Sequence, residues 1–175
     1  MRFAYNKQFR VRQRLATLAL IGLLVSGCSF TLNPTRLSTT TVALPGGTGG
    51  IGFDDMGYDA GLGKVIVPAG ATGNLDLIDP DSLNIRAIPG FSTTIPDPAG
   101  GHGDGTTSAV AHKGLLFAID RTNLKLDVVD PSAGSIVKST ELITSPDYIR
   151  YVPPTNELWV TEKGAQQIEV FSLSN

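Results

Sequence analysis

The sequence predicts an all-β chain, a β-propeller-like stack of about three four-stranded antiparallel blades. Three observations carry that prediction. One short segment recurs three times along the chain. Gly and Pro are plentiful, 20 and 11 of 175 residues, while helix-period patterns are scarce. Short β-branched runs alternate with clusters of turn residues, the pattern of paired strands rather than helices.

The first element lies outside that fold. Residues 1–27 begin with Arg2, Lys7, Arg10, Arg12 and Arg14 and no acid, followed by the apolar run LATLALIGLLV at 15–25. The run is short of the roughly 20 residues a membrane span needs. A basic stretch before an apolar run of about 7–15 residues is a secretory signal. "VSGC" at 25–28 follows and resembles the lipobox of bacterial lipoproteins, an aliphatic residue and two small ones before a cysteine. That resemblance implies cleavage before Cys28, lipidation of its thiol and acylation of the new N-terminus. Cys28 is the only cysteine, so no intrachain disulfide competes for it. Ser29 is not the aspartate that, in this family's sorting rule, retains a lipoprotein in the inner membrane. The resemblance therefore implies an exported protein, anchored in the outer membrane and facing the periplasm if the organism is Gram-negative. The membrane is then one partner.

Residues 28–50 follow as a Ser/Thr/Gly-rich tether. Within it "RLSTTTVAL" at 36–44 has the composition of one strand. Removing the signal leaves nine Lys/Arg against 16 Asp/Glu, a formal charge of −7. No basic stripe remains, which argues against nucleic acid as a partner.

Residues 51–175 carry the repeat, in units of about 51–92, 104–143 and 144–175. VIVPAGATGNLDLIDP at 65–80, LFAIDRTNLKLDVVDP at 116–131 and LWVTEKGAQQIEVFSL at 158–173 align without a gap. Each reads as two short strands around a polar turn. In the second strand Leu75 and Leu77 flank Asp76, Leu126 and Val128 flank Asp127, and Ile168 and Val170 flank Glu169. Period-two alternation predicts the aliphatics in a core and the acidic column in solvent. Phe117 and Trp159 share a column and are predicted in the core. In "DP", Asp79 and Asp130 suit the first position of a type I turn, and Pro80 and Pro131 the second. A further strand is predicted after each turn, at 83–88 and 135–141, and another ahead of each hairpin, at 55–60, 106–111 and 147–152. Four strands per unit of about 40–50 residues is the signature of a propeller blade.

These segments resemble the repeats of the YVTN-type bacterial β-propellers, with Trp159-Val160-Thr161-Glu162 carrying a glutamate where that signature has asparagine. The resemblance implies an exported binding or interaction scaffold without evident catalysis, its ligand a protein, peptide or glycan. Related propellers include lactonases and quinoprotein dehydrogenases, so an enzyme of either kind, or its inactive fragment, is the alternative. Three blades fall below the usual four to about eight of a closed ring. The third also lacks a strand after 173, a place that residues 36–44 would fill. Either the chain is a shortened relative of a longer protein, the preferred reading, or two copies form a homodimer of six blades.

Candidate ligand-binding residues lie where inner strands begin. Asp54 and Asp55 precede the first, Asp147 starts the third, and His102 and Asp104 lie in the glycine-rich "GGHGDG" before the second. Acids converging on one rim offer oxygen ligands to a cation, although His-x-Asp alone supplies only two of the three or four ligands a site needs. "GGHGDG" lacks the Lys-Ser/Thr end of a phosphate loop. No G-x-S-x-G elbow or C-x-x-C-H haem signature is present, and no catalytic residue or cofactor is expected. His112, in "AHKG", is predicted in an exposed hairpin turn.

Overall fold

Alternating aliphatics bounded by Asn, Asp and Gly form antiparallel ladders at each copy of the repeat. The computed structural model describes residues 37–93 and 105–174. The first blade has the order β1 (Gly57–Asp59), β2 (Lys64–Pro68), β3 (Asn74–Ile78), β4 (Ile85–Pro89). The second is β5 (Thr106–His112), β6 (Leu115–Asp120), β7 (Lys125–Asp130), β8 (Ser135–Glu141). The third has three strands, β9 (Pro146–Val152), β10 (Glu157–Glu162) and β11 (Gln167–Ser172). The fold is all-β, three blades of propeller type in chain order; the one helical piece among the described residues is a 3-10 turn at Gly47–Gly49. The three recurring segments are the three β2–β3-type hairpins.

Local chemistry closes the turns. Asp79 Oδ1 accepts the N–H groups of Asp81 and Ser82 at 3.2 and 2.9 Å, and Asp130 Oδ1 those of Ser132 and Ala133 at 2.7 and 3.1 Å. The Lys64 ammonium lies 2.6 Å from Asp79 Oδ2. That hydrogen bond and those from Ser82 hold the Asp79 carboxyl well below the usual carboxylate range. Each hairpin needs one left-handed residue before its second strand. Gly73 fills that place in the first blade (φ 75°), but Leu124 and Gln166 fill it in the others at 53° and 54°.

The blades stack face to face. Ile66, Leu75, Leu77 and Ile88 of the first pack on Ala109, Leu116, Ala118 and Val129 of the second. The second blade's other face, with Phe117, Ile119 and Leu126, packs on Ile149, Leu158 and Val160 of the third. The aliphatic columns of the first and second repeats thus face the following blade, and the acidic columns of the second and third the preceding one.

This stacking corrects the expected orientation of the acids. Asp76 and Asp127 are buried, at 0% and 2% exposure, because the sheet has neighbours or overlying chain on both faces rather than water on one. In the third blade the pattern inverts. Ile168 (53%), Val170 (45%) and Trp159 (39%) are exposed, since no further sheet lies beyond them among the described residues. Trp159 is therefore not a core residue; its indole N–H donates to Glu157 Oε2 at 3.0 Å, while Phe117 is buried.

The strand expected at 36–44 does not form: residues 37–44 belong to no ladder. Thr40, Val42 and Leu44 instead line an apolar cleft of about 420 Å³ with Val65, Val67 and Ile78 on the outer face of the first blade. Contacts divide the chain into Met1–Thr39 and Thr40–Asn175, so residues 40–50 belong with the blades. Cys28 lies outside the described residues.

Candidate functional site

The innermost strands β1, β5 and β9 bring distant parts of the chain to one place. Asp54 and Asp55 arrive on the segment just before β1. Ser108 sits at a bulge in β5, where the pairing with β6 shifts between Thr106 and Ser108. Bulges re-aim side chains, and here the hydroxyl reaches both neighbouring blades. Arg121 follows the end of β6, and Asp147, Tyr148 and Arg150 lie on β9.

These residues form one ionic network. The Arg121 Nη2 donates to Asp54 Oδ2 at 2.7 Å and to Asp147 Oδ1 at 2.5 Å, while its Nε donates to the Pro146 carbonyl at 2.7 Å. The guanidinium is buried, and its planar fork suits acceptors in several directions. The Ser108 hydroxyl donates to Asp55 Oδ2 at 2.6 Å and accepts from the Ile149 N–H at 3.2 Å. Arg150 Nη1 donates to the same Asp55 oxygen at 2.7 Å and stands over the Tyr148 ring, 5.2 Å from its centroid. The Tyr148 hydroxyl donates to Asp54 Oδ1 at 3.3 Å, and the negative charge of Asp54 pushes that phenol's pKa up. Lys163 Nζ lies 3.8 Å from Asp147 Oδ1.

Three of the sequence candidates, Asp54, Asp55 and Asp147, thus meet in one network, drawn from the first and third blades. Their oxygens already face Arg121, Arg150 and Lys163. Among the described residues no group of three or more His, Cys, Asp or Glu side chains is placed to hold a metal ion. His102 and Asp104 lie outside the described residues. Ser108, Arg121, Tyr148 and Arg150 were not singled out from the sequence. One signal was available: Arg121 and Lys163 occupy the same column of the repeat, and both reach Asp147.

His112 departs from its expected place. It ends β5 rather than sitting in the turn, is half-buried, and stacks on Tyr151 with ring centroids 3.9 Å apart and an interplanar angle of 26°. The pair lines a cleft of about 410 Å³ with Asp59 and Leu62. The alternation of β5 continues through Ala111, and the Tyr151 ring gives the imidazole an apolar face to cover.

No family model matches the chain, and no curated protein matches it in sequence. Solved structures do match. Kuenenia stuttgartiensis hydrazine synthase aligns over 81% of this chain and 36% of its own, at 12% identity and a TM-score of 0.56. A putative 6-phosphogluconolactonase from Bacteroides uniformis aligns over 69% of this chain and 38% of its own, at 11% identity and TM-score 0.51. The periplasmic gluconolactonase of Pseudomonas aeruginosa aligns over 69% and 35%, at 18% identity and TM-score 0.50. The chain spans little more than a third of the length of each. At these identities the likeness is one of fold: three blades of a kind that larger proteins assemble.

Proposed function

We propose that this chain is a non-catalytic, propeller-type binding scaffold, held at a membrane outside the cytoplasm by lipid on Cys28. The observation that carries the non-catalytic part is the pairing at the inner strands. Asp54, Asp55 and Asp147 each accept a hydrogen bond or ion pair from Arg121, Arg150 or Ser108. Carboxylates already engaged by these donors suit a fixed polar surface better than proton transfer. That surface, with Tyr148 and Arg150 toward its open side, offers an aromatic ring and charged hydrogen-bond donors to a protein, peptide or glycan. Anchoring rests on the sequence at 25–28, and two or more acyl chains give stable attachment. Outer-membrane placement follows from Ser29 in the same way.

Two measurements test this reading. Metabolic labelling with an alkyne fatty acid should mark the full-length chain and place it in the membrane fraction, and Cys28→Ala should abolish both. Label on the Cys28→Ala chain would refute the anchor. Purified chain should also fail to accelerate hydrolysis of sugar lactones, with or without added divalent metal. Hydrolysis that scales with chain concentration and is lost in Asp54→Asn would refute the scaffold and favour a lactonase, the activity that two of the fold's likenesses are named for.

A further inference from the structure

The two ends of the stack carry the two halves of one kind of interface, exposed on the third blade and reached through a cleft beside residues 40–44 on the first. Inside the molecule, the aliphatic face of one blade packs on the acid-bearing face of the next, and this occurs twice. The third blade presents the aliphatic half again: Trp159, Ile168 and Val170 are its positions equivalent to Phe117, Leu126 and Val128, and all three are exposed. The first blade presents the complementary half. Val65, Val67 and Ile78 are its positions equivalent to Leu116, Ala118 and Val129, and they floor the apolar cleft of about 420 Å³. Val67 and Ile78 are buried beneath that cleft and Val65 is half-buried, while Phe53, Met56 and Leu83 beside it are exposed.

We infer that a second copy of this chain docks head to tail, the Trp159 face of one copy seating in the cleft over Val65, Val67 and Ile78 of the other. The internal contact supplies the template. Phe117, in the Trp159 column, packs in the same core cluster as Leu158 and Val160, which occupy the columns of Val65 and Val67. A large aromatic entering a preformed apolar cleft is the usual anchor of a protein interface. The interface is heterologous, so its two surfaces differ, and such contacts close into rings when the rotation permits. The described blades of two copies number six, inside the range of about four to eight that closes. The alternative pairing, Trp159 face against Trp159 face, would leave the cleft empty and match nothing inside the molecule.

Site-specific photo-crosslinking on the full-length chain in its membranes tests this. A photoreactive residue replaces Trp159 in one tagged copy, co-expressed with a differently tagged second copy. The expected product migrates at twice the chain's mass, carries both tags, and maps by peptide mass to residues 40–83 of the second copy. Val65→Asp in the second copy should cut the yield at least fivefold, and more than Val65→Asp in the crosslinker-bearing copy, which spares the reported contact and weakens only the ring's other one. Should Val65→Asp prevent folding, the adduct map from unsubstituted partners decides by itself. A product of any other mass, no product, or an adduct on Ile168 or Val170 of the second copy overturns the proposal.

Discussion

Asp76 carries both carboxylate oxygens into the outer face of the first blade, where they are buried and meet no hydrogen-bond partner among the described residues. Burial pushes its pKa up to about 6 from the ordinary 3.8. The folded chain therefore holds this proton more tightly than the unfolded chain. Its contribution is fully present below about pH 4 and is lost as pH rises through about 6, a displacement worth on the order of 3 kcal/mol. Asp127, also raised by burial but eased by the Ser139 hydroxyl at 2.5 Å, acts in the same direction. We expect Asp76→Asn to raise the Tm at pH 7.5 and to flatten its fall between pH 4.5 and 7.5. An unchanged slope in thermal melts would show that Asp76 finds a partner or water. Arg121 is the opposite case, a buried cation with acids from both neighbouring blades. Arg121→Met should cost about 3 kcal/mol in urea unfolding, since removing one member of a buried pair strands the others. A loss below about 1 kcal/mol would mean the network is solvated. The acids of this network were legible in the sequence because they stand near the starts of inner strands. Arg121 was not, because its partners Asp54 and Asp147 lie 67 and 26 residues away and no local pattern links them.

At the scale of elements, the hairpins were the most readable part. Alternation and turn residues act over a few positions, so β8 falls at Ser135–Glu141 as the sequence indicates, and β4 and β9 shift by one or two residues. What each face meets was less readable. Alternation says that two faces differ, but the second blade lies between two others and residues 40–44 lie along the first blade's outer face, so Asp127 and Asp76 are buried against the simple rule. The segment at 36–44 has strand composition without strand pairing, which is a matter of partners and not of propensity. The hairpin column of Gly73, Leu124 and Gln166 was not visible either, because only one of the three is glycine. Non-glycine residues in the left-handed region cost roughly 1 kcal/mol, part of which glycine's greater unfolded freedom offsets. Gln166 is exposed in its turn, so Gln166→Gly should stabilise the chain by about 0.5 kcal/mol and raise the Tm by a degree or two. Destabilisation instead would mean that the glutamine side chain makes contacts that outweigh its backbone strain.

Across the whole molecule, blade stacking and strand pairing both hold the chain together, and equivalent positions can separate their contributions. Leu126 and Ile168 share a column, each in the second strand of a recurring hairpin and each paired in register with the strand before it. They differ in what lies over them: Leu126 is buried against the third blade, whereas Ile168 is exposed. If blade stacking dominates, Leu126→Ala should cost about 3 kcal/mol through lost burial and the cavity left behind. Ile168→Ala should then cost less than about 1 kcal/mol, as for a surface position. Urea unfolding of both variants, at chain concentrations low enough to keep the protein monomeric, checks this. Equal large costs there would mean that the third blade's outer face is covered within the single chain. The concentration dependence carries a second reading. If a second copy covers that face, the Ile168→Ala deficit should grow with chain concentration, because only the associated form loses the contact, while the Leu126→Ala deficit stays constant.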